Sequence, residues 1–249
     1  MTDLSLSLLL VAAVTFFAAG TVKGVTGMGL PTVAMGILGA VISPLAAASL
    51  LIVPSFVTNL WQLLAGPAFG ALIRRLWPMM LAICAGTMLG SAWLASGDIE
   101  VTTTALGATL AIYAGYTLVA RQLHVPVRTE RWLSPLIGAI TGMMAGGTGV
   151  FVIPAVPYLQ ALGLSRDDLV QALGLSFTVS TVALAAGLKA QGAFASETMG
   201  LSLLVLVPAL AGMWAGQKLR NRISPASFRR VFLVCLLLLG IEMTLRPLL

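Results

Sequence analysis

The sequence predicts an all-α polytopic membrane protein made of two repeats. Each repeat holds a glycine-broken hairpin or half-helix pair plus three membrane-crossing helices. Three observations lead there. Of 249 residues, 59% are hydrophobic and 9% charged, with a mean hydropathy of +1.02, whereas soluble domains carry about 25% charged residues. Residues 24–73 and 132–165 contain no formal charge, and runs of 18 or more apolar residues are membrane-span candidates. Finally, two stretches, 24–34 and 142–157, interrupt apolar sequence with clustered glycine and proline. Both residues are costly inside helices unless the chain must break.

In chain order, the uncharged apolar segments are 4–22, 30–42, 45–65, 76–97, 101–120, 133–145, 150–162, 169–188, 198–217 and 231–247. Segment 4–22 ends in Ala18-Ala19-Gly20, which resembles a signal-peptide cleavage site. No Lys or Arg precedes it, however, and Asp3 has the wrong sign, so a retained first segment is expected. Segments 30–42, 133–145 and 150–162 fall short of the roughly 20 residues a crossing needs. Residues 132–165 as one helix would run to roughly 50 Å, past a hydrocarbon core of about 30 Å, so that run must break at Gly146-Gly147-Thr148-Gly149. The domains expected are 1–121, a basic linker 122–131, and 132–249.

Basic residues set the orientation. Arg74 and Arg75 mark one cytoplasmic loop; Arg121, Arg128 and Arg131 a second; Lys218, Arg220, Arg222, Arg229 and Arg230 a third. Asp98 and Glu100 form an acidic turn suited to the outside. Placing all three basic loops inside requires each broken hairpin to enter and leave on one side, with three single crossings per half. Both termini then face outside, and the halves are related by inversion. Gly27 and Gly29 fall on Gly147 and Gly149 at a spacing of 120, and Gly86-x-x-x-Gly90 falls on Gly212-x-x-x-Gly216 at 126. That pattern suits a duplicated chain, and small-xxx-small pairs let helix backbones approach.

The breaks are the expected working centre. Helix ends at mid-depth leave unpaired N–H groups and a positive dipole end, and irregular backbone there is tolerated only inside protein or along a cavity. The ligand expected is an anion, held by Thr26, Gly27, Met28 and Gly29 on one side and Gly147, Thr148, Gly149 and Val150 on the other. Thr26 and Thr148 either donate hydroxyl hydrogen bonds or cap the short helix that follows. Asn59 and Gln62, with Thr58, and Ser176 and Ser180, with Thr178 and Thr181, either line the path or bond between helices. Lys23 and Lys189 are expected to snorkel to an interface. Glu242 with Arg246 reads as a structural i, i+4 pair, His124 as a solvated loop residue, and Trp77, Trp93 and Trp132 as interfacial anchors.

Several classes are excluded. Cys84 and Cys235 with one histidine build no metal site, no nucleophile–base set points to an enzyme, and no cofactor is called for. The +6 charge is spread through short segments, with no basic domain for nucleic acid. The partners expected are a small anion and the lipid bilayer, and a homodimer is compatible with this reading.

Gly-Val-Thr-Gly-Met-Gly-Leu-Pro-Thr-Val at 24–33, Gly-Gly-Thr-Gly-Val-Phe-Val-Ile-Pro at 146–154 and the two-half layout resemble the sulfite exporter TauE/SafE family across nearly the whole chain. The resemblance implies a bacterial inner-membrane transporter of sulfur-containing anions such as sulfite or an organosulfonate, with the two glycine segments flanking its path. Met28, which separates Gly27 from Gly29, and Pro31, placed where the second copy has no proline, depart from the family pattern and bear on pocket shape. A secondary transporter working by alternating access is expected, with an anion channel, a carrier of another small organic anion or a membrane scaffold as alternatives. Export of a monoanion from a negative-inside cell gains about 2.3 kcal/mol per 100 mV, so efflux needs no coupling ion.

Overall fold

The computed structural model describes residues 6–119, 124–193, 196–220 and 222–246. Arg121, residues 4 and 5 of the first apolar segment, and residues 120 and 247 closing two others lie outside the described residues. The described residues form ten helices: α1 (Leu6–Thr26), α2 (Leu30–Val41), α3 (Pro44–Leu64), α4 (Phe69–Ser96), α5 (Ile99–Val119), α6 (Val127–Thr148), α7 (Ala155–Ala161), α8 (Arg166–Ala190), α9 (Ser196–Arg220) and α10 (Pro225–Leu245). Each predicted segment corresponds to one helix. Five, in α1, α3, α4, α8 and α9, are long and apolar enough to cross a membrane.

Local chemistry sets the ends. Ser43, Ser165 and Ser224 cap α3, α8 and α10 by accepting from Ala46, Asp168 and Ser227 N–H groups. Asp167 and Asp168 add favourable charge in the first turn of α8.

Several helices are longer than the apolar segments alone suggest. The 133–145 segment, expected to be too short to cross, belongs to a 22-residue α6, about 33 Å at 1.5 Å per residue. Its first turn takes in charged sequence because Glu130, buried, meets Arg75 of α4 through two hydrogen bonds, Nε to Oε2 at 2.9 Å and Nη2 to Oε1. For the same reason Arg74 and Arg75 lie within α4 rather than in a loop. α1 likewise runs past its apolar segment to Thr26, so the first arm of each break is a long helix and only α2 and α7 are short.

The helices interlock between the two halves: α1 packs on α9, α4 on α6, α5 on α10 and α3 on α8. Glycines make these contacts close. A Cβ at Gly20 or Gly24 would meet α9 backbone at 2.1 or 2.3 Å, and one at Gly212 or Gly216 would meet α1 backbone at 2.0 or 2.2 Å. Gly86 and Gly90 of α4 face Gly142 and Gly146 of α6 in the same way, and Gly107 of α5 faces Gly240 of α10. In lipid, where apolar burial gives no net drive between helices, this approach supplies the packing that holds the bundle.

α3 carries Pro54, which has no N–H for the Leu50 carbonyl one turn back. Ser202 of α9 fills the gap: its hydroxyl donates to Leu50 O at 2.7 Å and accepts from Val53 N at 3.1 Å. A hydroxyl from a neighbouring helix thus satisfies a broken ladder without water.

Candidate functional site

Both breaks form one and the same turn. Thr26 Oγ1 donates back to Val22 O at 2.8 Å and accepts from Met28 N at 3.3 Å; Thr148 Oγ1 donates to Met144 O at 2.7 Å and accepts from Val150 N at 3.3 Å. The next residue is a left-handed glycine in each case, Gly27 at φ 81° and Gly149 at φ 70°, whose N–H bonds the carbonyl four residues back, on Lys23 and on Ala145. The structural correspondence is therefore Thr26 with Thr148 and Gly27 with Gly149. Matching glycines alone had set Gly27 against Gly147, two residues off register. The threonines close the end of the preceding helix rather than capping the one that follows.

Around the first break the chain opens a cavity of about 350 Å³. It lies where α3 and α9 end and α8 begins. Thr26, Gly27, Met28 and Gln62 line it, together with Thr58, Trp61, Leu173 and Gln217. Among the described residues its charged lining is Lys23, Arg166 and Arg220, with no Asp or Glu. On the other side of Thr26 and Met28 a second cavity of about 210 Å³ shares Arg166 and Arg220 and adds Arg229 and Tyr113. The 26–28 turn thus stands between two basic lobes.

Lys23 does not snorkel. It is 4% exposed, and its Nζ donates to Asn59 Oδ1. Asn59 Nδ2 in turn donates to Ser55 Oγ at 2.9 Å, and Ser55 lies 3.1 Å from Thr181 Oγ1, whose own proton goes to Phe177 O at 2.7 Å. Each hydroxyl has one proton to give, so the chain is polarised from Lys23 through α3 into α8. Asn59 is fixed with its oxygen toward the ammonium. By contrast, Lys189 is exposed near the end of α8, as an interfacial lysine should be.

The second break is enclosed. Gly147, Thr148 and Gly149 are buried, and Val150, Phe151 and Val152 have no exposed surface. Met35 of α2 lies against Gly149, 2.8 Å from where a Cβ would stand, and the Trp93 ring lies against Gly147 at 2.9 Å. Ser176 and Ser180 are fully buried, and among the described residues neither hydroxyl has a hydrogen-bond partner. Of the residues expected to meet an anion, Thr26, Gly27, Met28 and Gln62 share the open cavity; Gly29 adjoins them in sequence and packs on Val22 and Phe232. Asn59 holds Lys23 from behind, while Gly147, Thr148, Gly149, Val150, Ser176 and Ser180 lie in the packed interior.

A comparison with known protein families matches residues 12–243 to the sulfite exporter TauE/SafE family. The chain belongs to that family. Comparison with curated proteins and with solved structures gives no match. The family is one of membrane transporters, not enzymes, and this TauE/SafE protein is a multi-pass membrane protein by its apolar helices as well. In the sequence Arg220 marks a basic loop and Arg166 has no assigned role; that both converge on the first break follows from α8 starting beside the end of α9. Nothing local in the sequence signals that meeting.

Proposed function

We propose that this TauE/SafE protein is a secondary transporter that exports a small sulfur-containing oxyanion, sulfite or an organosulfonate, through a site at its two breaks. The observation that carries this reading is the cavity at Thr26–Met28. It presents three cationic side chains, amide donors from Gln62 and Gln217, and no carboxylate. Such a surface attracts an anion with several acceptor oxygens and repels cations. The open cavity lies on the side that carries the basic segments, taken as cytoplasmic, and export of a monoanion from there runs down the membrane potential.

Alternating access is the proposed mechanism. The halves share the Thr-Gly turn, and their packing is reciprocal, the first long helix of each lying on the fourth helix of the other. We read them as inverted. The far end of α2 meets the last turn of α10, where Arg246 Nη1 donates to Ala40 O at 3.2 Å. The far end of α7 meets the linker before α6, where Val125 N donates to Ala161 O at 2.9 Å. In this conformation the first break faces one side and the second is closed; rocking the halves would exchange the two.

The test is a thermal-shift screen of the purified protein against sulfite, thiosulfate, taurine, sulfoacetate and carboxylate controls, followed by flux in proteoliposomes. Stabilisation by at least one of the sulfur oxyanions, with saturable flux, is expected. A response to cations alone would remove the reading, and single-channel currents would replace the carrier with a channel. For alternation, Met28→Cys in a Cys84→Ala, Cys235→Ala background should react with a membrane-impermeant thiol reagent from the basic side, and Val150→Cys should not until substrate drives turnover.

A further inference from the structure

We propose that the protein carries its substrate as a monoanion, with Lys23 as the single countercharge in the occluded site, and rejects dianions. This rests on the transport reading above and adds the charge state of the substrate.

The two arginines of the cavity are placed differently from Lys23. Arg166 is exposed and Arg220 half-exposed, at the mouth, where solvent screens them and they can draw in any anion. Lys23 lies deeper and is almost wholly buried. Among the described residues its ammonium has one hydrogen-bond acceptor, the neutral Asn59 amide, and no carboxylate partner; the ion pairs there are Arg75–Glu130 and Arg246–Glu242. A buried cation of this kind is retained where an anion completes it. An ammonium has three donors, so two remain for a ligand in the cavity that Lys23 lines.

The onward path carries no second charge. On α8, Leu173 lines the cavity and Ser176 and Ser180 follow it at helical spacing, both buried and without partners. On α3, Ser55 stands one turn beyond Thr58. Ser176 and Ser180 can solvate oxyanion oxygens but cannot neutralise them, while the Ser55 proton is committed to Thr181. At the second break, Ala145 stands where Lys23 stands at the first. One cation closed in with one negative charge is neutral, whereas a dianion would leave a net charge in the dry interior, at heavy cost.

Among the described residues, the charged groups that share the cavity with Lys23 are basic. α8 brings Arg166 and α9 brings Arg220; Lys218 of α9 is instead held over the Trp214 ring at 3.7 Å. α2 and α3 contain no charged residue. α10 and α5 bring Arg229 and Tyr113 to the adjoining lobe, and Asp167 and Asp168 line neither lobe.

Sulfite changes from monoanion to dianion near neutral pH, whereas a sulfonate such as methanesulfonate stays a monoanion and sulfate a dianion. The experiment measures labelled sulfite flux into proteoliposomes of the full chain, with methanesulfonate or sulfate as competitor, on both sides of that ionisation. Sulfite flux should follow the monoanion fraction, falling about tenfold over the two pH units that straddle the ionisation, and methanesulfonate should compete where sulfate does not. Lys23→Arg, charged at every pH used, should keep the same pH profile wherever it supports flux. Flux that holds or rises with pH overturns the proposal, as does sulfate competing as strongly as methanesulfonate, or a pH profile that disappears in Lys23→Arg. Absence of any anion flux or competition would instead sink the transport reading itself.

Discussion

The two breaks share a threonine–glycine turn and differ around it, beginning with Thr26 Oγ1, which also lies 2.7 Å from Met28 O. Each has a threonine bonded back to the helix it ends, a left-handed glycine after it, and a short helix further on. Yet Thr26 and Gly27 face a basic cavity, and Thr148 and Gly149 are buried against Met35 and Trp93. Their anchoring differs too. The second hairpin is pinned by Arg75, which holds Glu130 and also donates to Leu162 O at 3.2 Å, and by Ser134 bonded to Tyr158 at 2.5 Å. Among the described residues the first hairpin is tied more weakly, by Arg246, which is exposed, and by Tyr113 Oη to Met28 Sδ at 3.9 Å. The local turn is the same device twice; the surroundings determine which copy is open.

Four sets of substitutions break or sharpen this contrast. Lys23→Met has the largest expected effect: flux falls by about 100-fold, the scale on which removing one partner of a buried charged contact acts. Thermal stability should be unchanged or higher, since an unpaired buried charge leaves the fold. Flux assays beside thermal unfolding separate the two. Unimpaired flux would make Lys23 a structural residue.

Glu130→Gln should cost about 2 kcal/mol, less than a fully buried pair because Arg75 remains partly exposed. It should appear as a lower unfolding midpoint and earlier proteolysis between α6 and α8. Removing Arg246 should do neither, and equal effects from the two would erase the difference in anchoring.

Gly27→Ala tests the conformation alone, because a Cβ there meets nothing within 4 Å while the left-handed φ remains; about 1–2 kcal/mol of strain follows. Flux should drop with little loss of expression. Gly149→Ala adds the contact with Met35 and should lose more stability, partly restored by Met35→Ala. The smallest effect belongs to Thr26→Val and Thr148→Val, about 1 kcal/mol each for the lost turn hydrogen bond, read by thermal unfolding. Similar losses at both positions would support the shared turn, and a loss at one alone would argue against it.

Much of the fold is legible in the sequence because lipid forces backbone polar groups to be satisfied within helices, so apolar length and glycine–proline clusters mark where helices run and end. The ten segments and both breaks are readable for that reason. The length of α6 is not, because charged residues enter a helix when a partner such as Arg75 arrives from elsewhere in the chain. The register between the halves is hidden by the abundance of glycine: Gly146, Gly147 and Gly149 all compete for the match with Gly27, and only the threonine hydrogen bonds decide it.

The site divides along the same line. Thr26, Gly27, Met28 and Gln62 could be nominated from residue type and position. Arg220 reads in the sequence only as part of a basic loop and Arg166 carries no signal there; α8 and α9 bring them together, and Lys23, expected at an interface, is buried against Asn59. By itself the sequence determined the solvent, the helices and the places where they must break, since those depend on the free energy of single segments in lipid. Which break is open, which lysine is buried and which cationic side chains gather at the first break were decided by packing, because they depend on what distant segments bring to one point.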